Sequence, residues 1–141
     1  MKKTKDALST ALHFLKFRPR SVFEVEQKLK QKGVIESEIE KVISVLKKNN
    51  LLDDLEFAKM WVRDRNLLKP TGSYLLKLEL KKKGIADDII EKVLMAQTDE
   101  PLARKALEMK YREREIDYHK KVAFLQRRGF STSVVYRVLK N

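Results

Sequence analysis

The sequence predicts an all-α protein made of three tandem three-helix repeats that pack into an elongated, curved array. Three observations support this prediction. One apolar pattern recurs along the chain, its spacing is helical with no strand-like alternation, and the 141 residues include only 4 Gly and 3 Pro. The repeats are predicted at residues 1–49, 50–98 and 99–141.

The repeat is clearest around Gly33, Gly84 and Gly129, which follow one another at offsets of 51 and 45 residues. Each glycine stands between a basic and an apolar residue, with a leucine four positions before it and apolar residues six, nine and ten positions after it. A unit of about 47 residues has a marginal core, so the units are expected to dock on one another. Armadillo and HEAT solenoids have similar unit lengths, and the period alone does not separate them from another three-helix repeat.

The first repeat is predicted to begin with a helix over residues 5–17, whose apolar residues fall on one face. This helix ends before Pro19, because the residue preceding a proline avoids the α region. Ser21 and Glu24 have capping-box spacing and are expected to start the second helix, which stops at Gly33.

Capping-box spacing is also used to predict where the third helices begin. Ser37 and Glu40 are expected to start the third helix of the first repeat, which runs to about Lys48. Asp88 and Glu91 stand 51 residues later, so the predicted cap repeats together with the apolar pattern.

The remaining helices are predicted from the same signals. In the second repeat, Asp53 and Glu56 open a helix that ends at Pro70, and the segment 71–73 starts the next helix, which stops at Gly84. The third repeat is predicted as helices over residues 101–115, 117–128 and 132–140.

Trp61 and two acidic pairs are candidate functional residues that also have structural interpretations. Trp61 shares one helical face with Phe57 and Ala58, so it is predicted as core where the first and second repeats dock. A base-stacking tryptophan would instead need exposure and basic neighbours. The pairs 53–54 and 87–88 are interpreted as acids that favour helix starts, rather than as acid–base catalysts. Asp54 is also expected to anchor a junction between repeats.

The composition excludes several classes of chemistry. With no Cys, the chain has no disulfide, thiolate zinc site or cysteine nucleophile, and 2 His are few for a metal site. The sequence has no phosphate-binding glycine loop and no HExxH pattern. We therefore expect no catalytic residue, metal or cofactor, and a protein that is not an enzyme. No apolar run is long enough for a bilayer, which favours a cytoplasmic protein without membrane contact, and no surplus apolar stripe suggests more than a monomer.

The charge predicts a polyanionic partner. Lys and Arg number 32 against 20 Asp and Glu, a formal charge of +12 that divides as +6, +1 and +5 among the repeats. Basic residues precede each repeat glycine, and stacked repeats would align these helix ends along one edge, although cations favour any helix C-terminus. Binding to DNA phosphates would be sequence-tolerant and salt-sensitive. The candidate contacts with DNA or a filament are Arg18, Arg20, Lys30, Lys32, Arg63, Arg65, Lys81, Lys82, Lys83, Lys120, Lys121, Arg127 and Arg128.

Residues 52–65, LDDLEFAKMWVRDR, resemble the LDDxxFAxxWVxxR signature of the RecX family of regulatory proteins. Lys-Gly at 32–33, Lys-Gly-Ile at 83–85 and Arg-Gly-Phe-Ser at 128–131 also fall where that family has them. The resemblance covers residues 7–140, which is nearly the whole chain.

The resemblance implies a function. RecX proteins modulate the bacterial recombinase RecA. They bind in the groove of the RecA–single-stranded-DNA filament and usually suppress its growth, ATPase and coprotease functions. The chain is therefore expected to regulate RecA in DNA repair, with the RecA filament, single-stranded DNA and also duplex DNA as partners. Two alternatives stay open: a stand-alone, sequence-tolerant DNA-binding helical protein, and helix-turn-helix units that each place one helix in the major groove.

Overall fold

The structure is a computed structural model that describes residues 4–112 and 114–140. Over these residues the chain forms nine helices and no strand, which confirms the all-α prediction, and none of these helices is long and apolar enough to cross a membrane. The helices are α1 (Thr4–Phe17), α2 (Val22–Gln31), α3 (Glu36–Lys48), α4 (Asp54–Leu68), α5 (Ser73–Lys82), α6 (Asp87–Met95), α7 (Asp99–Tyr111), α8 (Tyr118–Arg127) and α9 (Thr132–Leu139).

The helices pack in threes, which confirms the three-helix repeat. Helices α1–α3 form unit one, α4–α6 unit two and α7–α9 unit three, and the extensive helix packing lies within these units. Each unit has its own apolar core. The leucine four residues before each repeat glycine is fully buried in that core, as Leu29, Leu80 or Leu125. The repeated sequence pattern therefore corresponds to three equivalent cores.

Two of the predicted helix starts are confirmed and two are wrong. Ser21 makes the capping box of α2, and the Asp53 carboxylate accepts the first free N–H groups of α4. Helices α3 and α6 instead begin one residue before Ser37 and Asp88, after Ile35 and Ala86, without a side-chain cap. The reason is the tight turn: the apolar residue after each glycine is buried, which leaves one extended residue before the helix begins.

The first helix of unit three differs most from its prediction. Helix α7 begins at Asp99, two residues before Pro101, because a proline in the first turn removes only an N–H group that has no intrahelical partner. The helix ends at Tyr111 rather than at residue 115. Arg112 stops it by adopting a left-handed conformation with φ 46°.

Units one and two are joined at the N-terminus of α2. The Val22 N–H donates to Oδ1 of Asp54, the first residue of α4, at 2.9 Å. The Ser21 hydroxyl donates to the carbonyl oxygen of Lys83 at 2.7 Å, so the C-terminus of α5 lies against the N-terminus of α2. Gly84 allows this approach, because a Cβ there would lie 2.2 Å from Cβ of Phe23. The prediction that Asp54 anchors a junction is confirmed.

Units two and three are joined in the same way, at positions that follow the repeat offsets. The Ser73 N–H donates to Oδ2 of Asp99, the first residue of α7, at 3.0 Å. The Gly72 N–H donates to the carbonyl oxygen of Arg128 at 2.7 Å. A Cβ on Gly72 would lie 2.2 Å from the Gly129 backbone. The second helices of the three units therefore follow one another end to end, α8 to α5 to α2, and the units form a row.

Trp61 packs in unit two itself rather than between units one and two, the predicted place. Its ring stacks on Phe57 with centroids 6.0 Å apart, against the core that α4 shares with α5 and α6. Its indole Nε1 donates to Oε1 of Glu79 at 2.9 Å, and its side chain is half-buried. The face of α4 that carries Trp61 is used within the unit because helix ends make the contact between units.

The junction between units one and two can be tested with two equivalent glycines. Gly33 and Gly84 both end a second helix with positive φ, of 82° and 75°, but a Cβ on Gly33 would meet nothing within 4 Å. Gly33→Ala should therefore lower the free energy of unfolding by about 1 kcal/mol, the cost of left-handed backbone alone. Gly84→Ala adds the clash with Phe23 and should cost about 1–3 kcal/mol more. Equal losses in urea unfolding would show that the junction adjusts freely.

The Asp54 carboxylate should set part of the pH dependence of stability. Burial raises the pKa of Asp54, although its hydrogen bond from Val22 acts in the opposite direction. The folded protein thus holds this proton more tightly than the unfolded chain does. The stability that the group contributes is full below its unfolded pKa of about 3.9 and is lost as pH rises through the folded pKa.

Two substitutions separate the charge of Asp54 from its hydrogen bond. Asp54→Asn keeps an oxygen for the Val22 N–H and removes the buried charge, so at pH 7 it should match or exceed the wild type in free energy of unfolding. That advantage should shrink as pH is lowered towards 4. Asp54→Ala leaves the N–H without an acceptor and should cost about 1–3 kcal/mol. If Asn were as damaging as Ala at pH 7, the charge itself would hold the junction.

Candidate functional site

The basic helix ends do not form the single free edge that the sequence predicts. The end of α2 is open at Gly33, whereas the ends of α5 and α8 are packed against the preceding unit at Gly84 and Gly129. The docking of the second helices end to end uses these ends, which is why the prediction is wrong for two of the three. The basic residues near them are divided between the junctions and the surface.

Four of the candidate cations are engaged by the protein itself. Arg18 Nη2 donates to Oε2 of Glu24 at 2.6 Å, and Lys83 Nζ lies 3.4 Å from the same oxygen across the junction. Burial alone would raise the pKa of Glu24, but hydrogen bonds from Arg18 and Ser21 outweigh it and hold that pKa below its usual value. The other two are Arg65, which pairs with Glu79, and Arg128, whose guanidinium donates to the carbonyl oxygen of Pro70.

The other candidates are presented at the surface to different degrees. Lys30 and Lys81 lie 3.8 and 3.7 Å from the exposed carboxylates of Glu36 and Asp87, distances typical of weak surface pairs. Arg63 lies beside Asp64 on α4. Two more, Arg20 and Lys121, are half-buried, and Arg20 Nε donates to the carbonyl oxygen of Phe14 at 3.4 Å. The exposed remainder are Lys32, Lys82, Lys120 and Arg127.

A groove of about 690 Å³ runs between α1 and α2, and we call it the first groove. The Arg20 guanidinium lies 3.8 Å from the centroid of the Phe14 ring, and Lys28 Nζ lies 5.4 Å from the same centroid. Lys32 has no ion pair among the described residues. No acidic side chain from residues 4–112 or 114–140 lines this groove, whose lining residues are Ser9, Thr10, His13, Phe14, Phe17, Arg20, Lys28 and Lys32.

The first groove continues towards unit two. Phe14 and Lys28 also line an adjoining groove that reaches Lys82 and Lys83 of α5 and its C-terminal turn. The one carboxylate in this adjoining groove is that of Glu24, which Arg18 and Lys83 already neutralise. The two grooves thus offer one cationic surface that crosses the first junction.

A second cationic groove lies where unit two meets unit three, and we call it the third-unit groove. It is about 390 Å³ and is lined by Lys69, Pro70, Ala106, Met109, Lys110, Phe124, Arg127 and Arg128. Among the residues that the structure describes, it has no acidic lining residue, like the first groove, and the Arg128 guanidinium lies 5.5 Å from the Phe124 ring centroid. Lys120 and Lys121 line neither groove.

The guanidinium in each groove is in an environment that disfavours its charge. Burial lowers the pKa of Arg20 and the neighbouring Arg18 lowers it further, although Glu24 acts in the opposite direction. Burial likewise lowers the pKa of Arg128, with a further contribution from Arg65. An anion bound in either groove would favour the charged form of its guanidinium.

Several groove residues are absent from the candidates chosen by sequence. Lys28 and Lys110 are not adjacent to a repeat glycine, and each stands two residues before another basic residue of its stretch, so the choice of residues next to the glycines does not include them. The repeat itself contains the missing signal. Positions 14 and 110, and positions 28 and 124, are related by the sum of the two offsets, and each pair combines one lysine with one phenylalanine.

Comparison with known proteins supports the same three-helix organisation. The family model for the first three-helix domain of RecX matches residues 7–46, and that for the second three-helix domain matches residues 53–94. The crystal structure of RecX from Lactobacillus salivarius superposes with a TM-score of 0.84 at 26% identity, covering 97% of this chain and 94% of that one.

Two curated relatives carry the name regulatory protein RecX. The Vibrio campbellii protein is 37% identical over 137 residues, which cover 91% of this chain and 86% of that protein. The Prosthecochloris aestuarii protein is 45% identical over 91 residues. These residues cover 64% of this chain and 60% of that relative's length. On this similarity of sequence and fold, the chain belongs to the RecX family of regulatory proteins.

Proposed function

We propose that this chain binds the RecA–single-stranded-DNA filament and inhibits its growth, its ATPase and its recombinase and coprotease activities in DNA repair. The observation that carries the proposal is membership in the RecX family, whose curated members are named as regulatory proteins. RecA is the partner that this resemblance implies.

The arrangement of the units supports a filament as the target. A filament repeats its surface, and this chain repeats its units in a row through two equivalent junctions. Once one unit is bound, contacts by the others become intramolecular and gain from a high effective concentration. Modest contacts by each unit would then be enough to slow filament extension.

The distribution of charge supports contact with nucleic acid in the filament. The first groove and the third-unit groove lie in the two ends of the row, where the sequence carries +6 and +5. Both have cationic linings, and no acid lines either one in the part of the chain that the structure describes. Contacts of lysine and arginine with phosphates position a protein without reading sequence. A regulator of a filament formed on any sequence needs this kind of contact.

Stand-alone DNA binding is the second candidate function, and the two grooves favour it because their cations need no partner protein. The helix-turn-helix form of this alternative has less support. In α3 and α6 the first turn carries Glu36, Glu38, Asp87 and Asp88, and these acids would meet DNA phosphates if the helix N-terminus entered a major groove.

The proposed function is tested by titrating the protein into RecA that hydrolyses ATP on single-stranded DNA. The wild type should lower the rate of hydrolysis and shorten the filaments. Lys32→Glu combined with Lys82→Glu should weaken this inhibition and reduce the salt slope of binding by about 2, one for each lost phosphate contact.

The matched control is Lys77→Glu combined with Lys92→Glu, which makes the same charge change at exposed positions that line none of the described grooves. This control should inhibit like the wild type. No effect of the wild type on ATP hydrolysis or filament length would overturn the proposed function. Equal weakening by both variants would show that net charge, and not the grooves, is responsible.

A further inference from the structure

The groove between the first and second helices of a unit can be compared at equivalent positions in all three units. One key pair of positions, one on each helix, holds Phe14 and Lys28 in unit one. The repeat offsets place Arg65 and Glu79 there in unit two, and Lys110 and Phe124 in unit three. The chain therefore carries three versions of one groove, and their differences show what each can bind.

Unit two fills the position with its own ion pair. Arg65 donates to both carboxylate oxygens of Glu79, at 2.9 and 2.7 Å, and Trp61 Nε1 donates to the same carboxylate. The hydrogen bond with Glu79 raises the pKa of Arg65, so this cation is fully compensated. In unit two the key pair of positions is thus occupied by an internal ion pair.

Unit three keeps its groove open but hides its aromatic ring. Phe124 is buried, with the Tyr111 ring edge-on at 5.6 Å and the Arg128 guanidinium near its face. The groove therefore presents cations and aliphatic carbons to a ligand. This version can hold phosphates but offers no ring for stacking.

Among the described residues of the three grooves, those of unit one combine cations that have no carboxylate in the groove lining with an exposed ring. Phe17, the last residue of α1, is 68% exposed, although phenylalanine is a residue type that folding usually buries. The exposed His13 ring lies perpendicular to the Phe17 ring with the centroids 5.1 Å apart, and both rings line the first groove. Lys28, Lys32 and Arg20 line the same groove.

We propose that the first groove is a base-stacking site for single-stranded nucleic acid, with Phe17 as the platform for one unpaired base. Lys28, Lys32 and Arg20 bind the phosphates on either side of that base, and the strand continues along the adjoining groove towards Lys82. The inference deepens the proposed function and rests on it for the identity of the strand as DNA.

The chemistry of the groove favours this ligand over two others. Duplex DNA keeps its base faces stacked inside the helix, so it would use the lysines and leave Phe17 without a role. An acidic protein segment would also need only the cations. A single strand uses both features, because every unpaired base has a π-face and lies between two phosphates.

The test measures binding of a short fluorescent oligothymidylate by anisotropy, without RecA, beside the same oligonucleotide with abasic sites in place of its bases. The wild type should bind the base-containing strand about tenfold more tightly, within the range for one base–aromatic stack. Phe17→Ala should bind both strands with the affinity that the wild type has for the abasic one. Circular dichroism should show unchanged helix content, since Phe17 is exposed at a helix end.

Tyr136→Ala is the matched control, because Tyr136 is a 58% exposed aromatic residue on α9, outside all the described grooves. It should keep the preference for bases. A wild type that binds the abasic strand equally well would overturn the inference, as would equal loss of preference in both variants. Binding only to polyglutamate, or to duplex as tightly as to single strand, would also overturn it.

The same variants in the RecA assay separate this inference from the proposed function. Inhibition of RecA by a wild type that has no preference for bases would sink the stacking site and leave the proposed function standing. A preference for bases that depends on Phe17, without any effect on RecA, would leave the stacking site standing and sink the proposed function.

Discussion

The architecture depends on a carboxylate that caps a helix in the neighbouring unit. The N-terminus of every helix leaves N–H groups without intrahelical partners. In this chain, two second helices receive an acceptor from the first residue of the following unit, Asp54 for α2 and Asp99 for α5. The second helix of a unit is therefore capped by a residue of the unit that follows it. The cap also places the second helix of the following unit end to end with the capped helix. The glycine turn at the C-terminus of that following helix then packs against the capped N-terminus. One interaction, used twice, fixes both the order and the relative orientation of the units.

This mode of docking decides which cations are available for function. The C-terminal turns of α5 and α8 pack in the junctions. There Lys83 pairs with Glu24, and Arg128 donates to the carbonyl oxygen of Pro70. The open helix end in unit one and the grooves in units one and three retain cations, and no acid among the described residues lines these two grooves. In the middle unit Arg65 pairs with Glu79, and we interpret this unit as a spacer between the two cationic ends. The sequence of this unit is nearly neutral, and the ion pair is one place where its opposite charges meet in the structure.

Much of the fold is predictable from the sequence because it follows from local spacing. The apolar positions around Gly33, Gly84 and Gly129 predict nine helices and three cores, and the position of Asp54 predicts a junction. The predictions that are wrong concern non-local geometry. Capping spacing at Ser37 does not reveal that burial of the residue after the glycine sets the helix start. Charge counting cannot show which cations are paired, since the partners of Lys83 and Arg128 lie 59 and 58 residues away. Those pairings exist only after the units dock.

We propose that the row of units contacts a filament through its two ends and not through its middle. The most direct measurement is an electron cryomicroscopy reconstruction of this chain bound to a RecA–single-stranded-DNA filament. We expect density for filament components against the first groove and the third-unit groove, with the Arg65–Glu79 pair of unit two intact and free of nucleic acid. Contact made mainly through unit two, or through the acidic N-terminal turns of α3 and α6, would contradict it.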